Sequence, residues 1–220
     1  MGRMISFSRP DGGSASGWLA EAGDDRPGVI VLQEWWGLND QICGIADRFA
    51  RHGYNALAPD LYHGRVTGDA DEAGHMMEGL DFPGATHEDI TGAARHLKSL
   101  SNGRVAVTGF CMGGALTIAA AVHVAECDVA VAFYGIPPKE FADASAIRIP
   151  FQGHFANIDD WCNPEAVNSL VDDLNAGNVA HELYRYDAEH AFFNEVSDAY
   201  DVASARASWA RMMEFLSARL

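Results

Sequence analysis

"RVAVTGFCMGGALTIAAA", Arg104 to Ala121, decides the fold. An apolar run, "RVAVTGF", hands over directly to a helical one, "MGGALTIAAAVHVA", and a cysteine stands at the junction. The pattern is G-x-C-x-G with one further glycine: Gly109, Cys111, Gly113 and Gly114. It matches the strand-turn-helix signature G-x-S-x-G of a nucleophile elbow, with sulfur in place of oxygen. A side chain at the tip of such a turn sits in a cramped backbone conformation, and glycine neighbours let strand and helix approach closely enough to permit it. The turn also aims Cys111 at a helix N-terminus, whose free amides and dipole favour an anion. A lowered thiol pKa is therefore expected, with the same amides able to hold an oxyanion. The competing reading is a glycine-rich packing turn around an inert buried cysteine. A dinucleotide fingerprint is excluded, because G-x-G-x-x-G would need glycine at position 111.

Outward from the elbow, short apolar runs alternate with helical ones. "GVIVLQE" (Gly28–Glu34) is too uniformly apolar to face water on one side and suits the middle of a covered sheet. "DQICGIADRFARHG" (Asp40–Gly53) carries a helical stripe at Ile42, Ile45, Ala46 and Phe49, closed by Gly53. "NALAPDLY" is a short strand stopped by Pro59. A glycine-rich, acidic excursion runs from there to about Pro83, partly helical near "DEAGHMMEGL". "THEDITGAARHLKSL" reads as a helix with Thr86 as N-cap. Beyond the elbow come strands "VAVAFYG", "IPFQGHF" and "AHELYRY", helix "PEAVNSLVDDLNAG", and a last helix from about Tyr200 to Leu220. The alternation predicts one α/β domain over residues 1–220, a doubly wound, mainly parallel sheet with helices on both faces. Segments near Ile5–Phe7 and Ser16–Ala20 would add an antiparallel edge.

Composition narrows the partners. The chain has 220 residues and a formal net charge of −16, which disfavours nucleic acid and anionic membranes. No run approaches the roughly 20 apolar residues of a membrane span. The N-terminal "MGRMISFSRPDGG" lacks a signal peptide's apolar core. The match of Gly2 and Ser6 to a myristoylation pattern is too short to weigh. Cys43, Cys111, Cys127 and Cys162 form no C-x-x-C pair, so reduced thiols and a cytoplasmic location are expected. The nine histidines show no zinc spacing, and no metal is expected.

A catalytic elbow needs a base and an orienting acid later in the chain, each at the carboxyl end of a strand. After "IPFQGHF" come Asp159 and Asp160, and after "AHELYRY" comes His190, in the order nucleophile, acid, histidine. Alone, each has a plain alternative: an aspartate capping a turn, or a solvated loop histidine.

The runs "QEWWG" (Gln33–Gly37), "APDLYHG", "GFCMGG", "GHFANIDDW" and "EHAFF" together resemble the dienelactone hydrolase family of α/β-hydrolases. The likeness covers about residues 28–195, with all five motifs in family order. It implies an α/β-hydrolase fold and hydrolysis of a carboxylic ester or lactone through a thioester, with no cofactor. It selects Asp159 over Asp160, since "DDWC" puts Trp161 in the family's aromatic slot. It also explains Glu34, a charge at the end of an apolar strand. The family's matching glutamate contacts the resting cysteine and takes its proton as substrate enters. A glutamate merely paired with an arginine or histidine is the alternative. The amides of Trp35 and Met112 match the family's oxyanion-hole positions.

The likeness thins at the family's two substrate-holding arginines. One matching position is Asn194, and the excursion after "PDLY" has no arginine in "GDADEAGHMMEGL". Arg65 is the nearest candidate, read otherwise as a solvated loop residue. Trp36, Tyr134 and Phe192 are expected to line an aromatic pocket with Asn194, for a substrate less anionic than dienelactone. A non-catalytic protein binding a small molecule in the same cleft is the rival function. A redox-sensing thiol ranks last, because the other cysteines are remote in sequence.

Overall fold

The computed structural model describes residues 1–220. One eight-stranded sheet runs in the order β1-β2-β4-β3-β5-β6-β7-β8. β1 (Arg3–Ser8) and β2 (Ser14–Ala20) form the antiparallel edge, β2 pairing antiparallel with β4 (Asn55–Pro59). From β4 onward all pairs are parallel: β3 (Gly28–Leu32), β5 (Val105–Phe110), β6 (Val129–Phe133), β7 (Phe151–Ile158) and β8 (His181–Glu189).

Every residue of β3, β5 and β6 is buried, as their unbroken apolar runs require of strands covered on both faces. Side chains alternate between two cores. Along β3, Ile30 and Leu32 join a cluster with Ile90, Leu97, Leu116 and Leu170. Val29 and Val31 join the opposite cluster with Ile42, Phe49, Trp209 and Met212. Helices α1 (Asp40–Arg51) and α7 (Val202–Ser217) thus cover one face, and α4 (Thr91–Leu100), α5 (Met112–His123) and α6 (Pro164–Ala176) the other. Asn39, Asn163 and Asp201 cap α1, α6 and α7 through their side chains. No helix is long and apolar enough to cross a membrane.

Three boundaries differ most from the sequence reading. Thr86 is no N-cap: it is buried, and its hydroxyl donates to the Phe82 carbonyl. The helix starts a turn earlier, at α3 (Phe82–Gly84), where Asp81 accepts from the Gly84 amide and Pro83 suits the first turn. It widens into a π-helical turn at Ala85–Ile90 before α4, and Thr91 Oγ1 donates to the Thr86 carbonyl five residues back. The excursion before it contains α2 (Ala70–Glu78), which buries Ala73 and Met76. Strands β7 and β8 also outrun "IPFQGHF" and "AHELYRY", pairing with each other to Ile158 and Glu189. They deliver Asp159 and His190 directly past their ends.

That extension matters because five neighbouring strands, β3, β5, β6, β7 and β8, end at one rim. Glu34, Cys111, Tyr134, Asp159 and His190 follow them within one or two residues.

Candidate active site

Cys111 sits at φ +56°, ψ −118°, a strained conformation for a residue with a Cβ, and opens α5. The flanking glycines serve close approach. A Cβ on Gly109 would lie 2.2 Å from the Gly113 carbonyl oxygen, and one on Gly113 would lie 2.5 Å from that of Leu32. The Cys111 amide donates to the Phe133 carbonyl at 3.1 Å, tying the elbow to β6.

The thiol does not have the lowered pKa expected from its helix terminus. Burial raises it and the nearby Glu34 charge raises it further, while the opposing Met112 amide is the weaker influence. At rest Cys111 is therefore a thiol, not a thiolate.

His190 Nδ1 lies 2.7 Å from Asp159 Oδ2. Asp159 Oδ1 accepts the amides of Trp161 and Cys162, at 2.8 and 2.9 Å. Burial alone would raise the Asp159 pKa, but the His190 bond and these amides outweigh it and hold the carboxyl below its usual value. Asp160, the other candidate, is exposed. With Nδ1 engaged, Nε2 is the free nitrogen of His190, in a cavity wall shared with Cys111. No hydrogen bond joins that ring to Sγ in this structure, an arrangement common where catalytic contacts tighten only around substrate.

Glu34 is buried, and its partners are neutral: Asn194 Nδ2 donates to Oε2 at 2.6 Å and Tyr134 OH to Oε1 at 3.3 Å. Neither arginine nor histidine pairs with it through a hydrogen bond. Its expected contact with Cys111 is electrostatic, without a hydrogen bond. Burial raises its pKa against the two donors and the His190 charge, which makes it a stronger base than an exposed glutamate. The Trp35 amide has no partner in the chain, and Met112, first residue of α5, has no intrahelical one.

Trp36 and Asn194 line a cavity at the site, and Tyr134 lines a second one. Phe192 does not line either. It is fully buried against Phe133, Tyr134 and Tyr186, where the apolar sequence around it packs it into the core. Arg65 stands outside both cavities, 3.5 Å from Glu72 on the surface. Trp161, placed only as an aromatic neighbour of Asp159 by the sequence, is a wall of both cavities, with its ring 5.6 Å from that of Trp35. His154 carried no sequence signal. It is buried with both nitrogens engaged, by Tyr186 OH at 2.8 Å and Gln152 Oε1 at 2.9 Å. No three His, Cys, Asp or Glu side chains converge as a metal site.

Sheet order, elbow and a histidine-carboxylate pair at the strand ends define an α/β-hydrolase. A family model described as "Dienelactone hydrolase family" matches residues 16–220. The chain belongs to that family, and ester or lactone hydrolysis is the chemistry the family name carries. It is 33% identical to "Protein usf" of Aquifex pyrophilus over 95% of each chain. It is also 33% identical to a "Putative carboxymethylenebutenolidase" of Escherichia coli K12, over 86% of this chain and 76% of that protein. Among solved structures, a "Putative Dienelactone Hydrolase" from Klebsiella pneumoniae superposes with a TM-score of 0.87 at 25% identity, covering 99% of both chains.

Proposed function

We propose that this hydrolase cleaves uncharged carboxylic esters or lactones through a thioester on Cys111. The observation that carries the reading is the strained elbow cysteine lining the same cavity as His190, whose other ring nitrogen is bonded to the buried Asp159. As substrate enters, Glu34 takes the thiol proton, a role suited to a buried carboxylate of raised pKa. The thiolate adds to the carbonyl carbon, and the Trp35 and Met112 amides hold the oxyanion. Protonated His190 gives its Nε2 proton to the leaving alkoxide, the neutral ring then takes one from the water that cleaves the thioester, and the expelled Cys111 thiolate recovers its proton from Glu34. Asp159 fixes the ring orientation and stabilises its cationic form. No step calls on a cofactor, and we place the activity in the cytoplasm.

Preference for uncharged substrates rests on the walls. Neither cavity at Cys111 is lined by a lysine or arginine, and Glu34 lines one of them. A substrate carboxylate would face the Glu34 side chain with no lysine or arginine to hold it.

The experiment is a panel of esters and lactones, each neutral member paired with a carboxylate-bearing counterpart, on wild type and Cys111→Ala. Expected are higher kcat/KM for the neutral members and a loss of about 10³-fold or more in the variant. Equal turnover by both proteins would overturn the nucleophile. Ligand binding without turnover in wild type would favour the binding-protein alternative.

A further inference from the structure

Cys111 stands where two cavities meet, and their walls differ. One, of about 520 Å³, is walled by Trp35, Trp36 and Val196 but also carries polar groups from Glu34, Asn39, Thr67, Asn194 and Ser197. The other, of about 500 Å³, is walled by Met77, Phe82, Ile136, Pro138 and Phe141, and its only charged-type side chain is the shared His190. Cys111, Trp161 and His190 belong to both, so nucleophile and proton donor lie at the junction. Each arm is of a size that encloses a small molecule.

An ester carbonyl carbon carries two substituents that diverge from it. With the attacking sulfur at a junction, one substituent enters each arm. A small lactone joins both substituents in one ring, which occupies a single arm and leaves the other to water. Resting on the ester-hydrolase reading above, we infer that the preferred substrate is an open-chain ester with an apolar group of medium length on one side of the carbonyl and an uncharged polar group on the other. The polar arm has donors for such a group. Asn39 uses Oδ1 to cap Ile42 and keeps Nδ2 free, and Ser197 accepts the Ala199 amide and keeps its hydroxyl proton. In the apolar arm each methylene removed from water raises kcat/KM by about fourfold, the equivalent of about 0.8 kcal/mol.

Two ester series test this on the full chain: glycerol monoesters with acyl groups from acetyl to hexanoyl, and lactate esters with alkyl groups from ethyl to hexyl. γ-Butyrolactone serves as the small lactone. Expected is a rise in kcat/KM of about tenfold or more along at least one series, with its longest member exceeding the lactone. Ala115→Leu, which narrows the apolar arm, should lower the long-to-short ratio, and Phe141→Ala should move the optimum to longer chains. Either variant decides the point if the other does not fold. Flat series, or a lactone turned over faster than every ester, would overturn the inference while leaving ester hydrolysis intact. Absence of any Cys111-dependent turnover would instead overturn the reading beneath it.

Discussion

His154, within β7, and His190, just past the end of β8, belong to neighbouring parallel strands and meet opposite surroundings. His154 is fully buried, stacked 4.5 Å from the Phe133 ring, and both its nitrogens face neutral partners. Burial, with a smaller contribution from the Arg211 charge, pushes its pKa down to about 3. His190 has a carboxylate on one nitrogen, the other nitrogen free, and a cavity in front of it. The same side chain is a neutral brace in one place and, in the mechanism proposed above, a proton carrier in the other. The difference lies in the charge of the partner and in whether a nitrogen remains for a ligand.

The largest effect that would sharpen this comparison comes from the carboxylate. Asp159→Asn keeps an acceptor for the Trp161 and Cys162 amides but replaces the charged partner of His190. Ester kcat should fall by about 10²–10⁴-fold with little change in unfolding midpoint. Steady-state kinetics within threefold of wild type would break the distinction between the two histidines.

A smaller effect belongs to the brace. His154→Phe leaves Gln152 Oε1 and Tyr186 OH without their imidazole partner, a loss of about 1–3 kcal/mol in urea unfolding at neutral pH, with ester turnover retained. Acid should narrow that gap. Between the ordinary histidine pKa of 6.5 and about 3, the unfolded wild type binds a proton that the folded protein refuses, so its stability falls as pH falls. The variant lacks this component, and at pH 5 the gap should shrink on the order of 1–2 kcal/mol. A gap that stays constant would show that His154 is not held neutral.

The elbow was legible because its requirements are local: small residues where a backbone atom lies 2.2 Å from a would-be Cβ, and a junction of two periodicities. The strand-end order of Asp159 and His190 was legible for a related reason, since parallel topology places successive strand ends on one rim. What escaped depended on distant partners. Asn194 and Glu34 are 160 residues apart, and nothing at either position announces their bond. The direction of the Cys111 shift needed knowledge of what covers the thiol, because helix amides alone point the other way. Phe192 sits two residues past His190 yet turns into the core, which no spacing rule distinguishes from a pocket wall. The early helix start escaped because Pro83 reads as a breaker until the helix is seen to begin there.

The most direct test of the central claim, that Cys111 carries the acyl group, is intact-mass and peptide mass spectrometry of enzyme quenched during turnover of a neutral ester. The His190→Ala protein should accumulate one acyl mass on the peptide containing Cys111, released by hydroxylamine as a thioester, and Cys111→Ala should carry none. Acyl mass on another residue, or undiminished turnover by Cys111→Ala with no adduct anywhere, would contradict it.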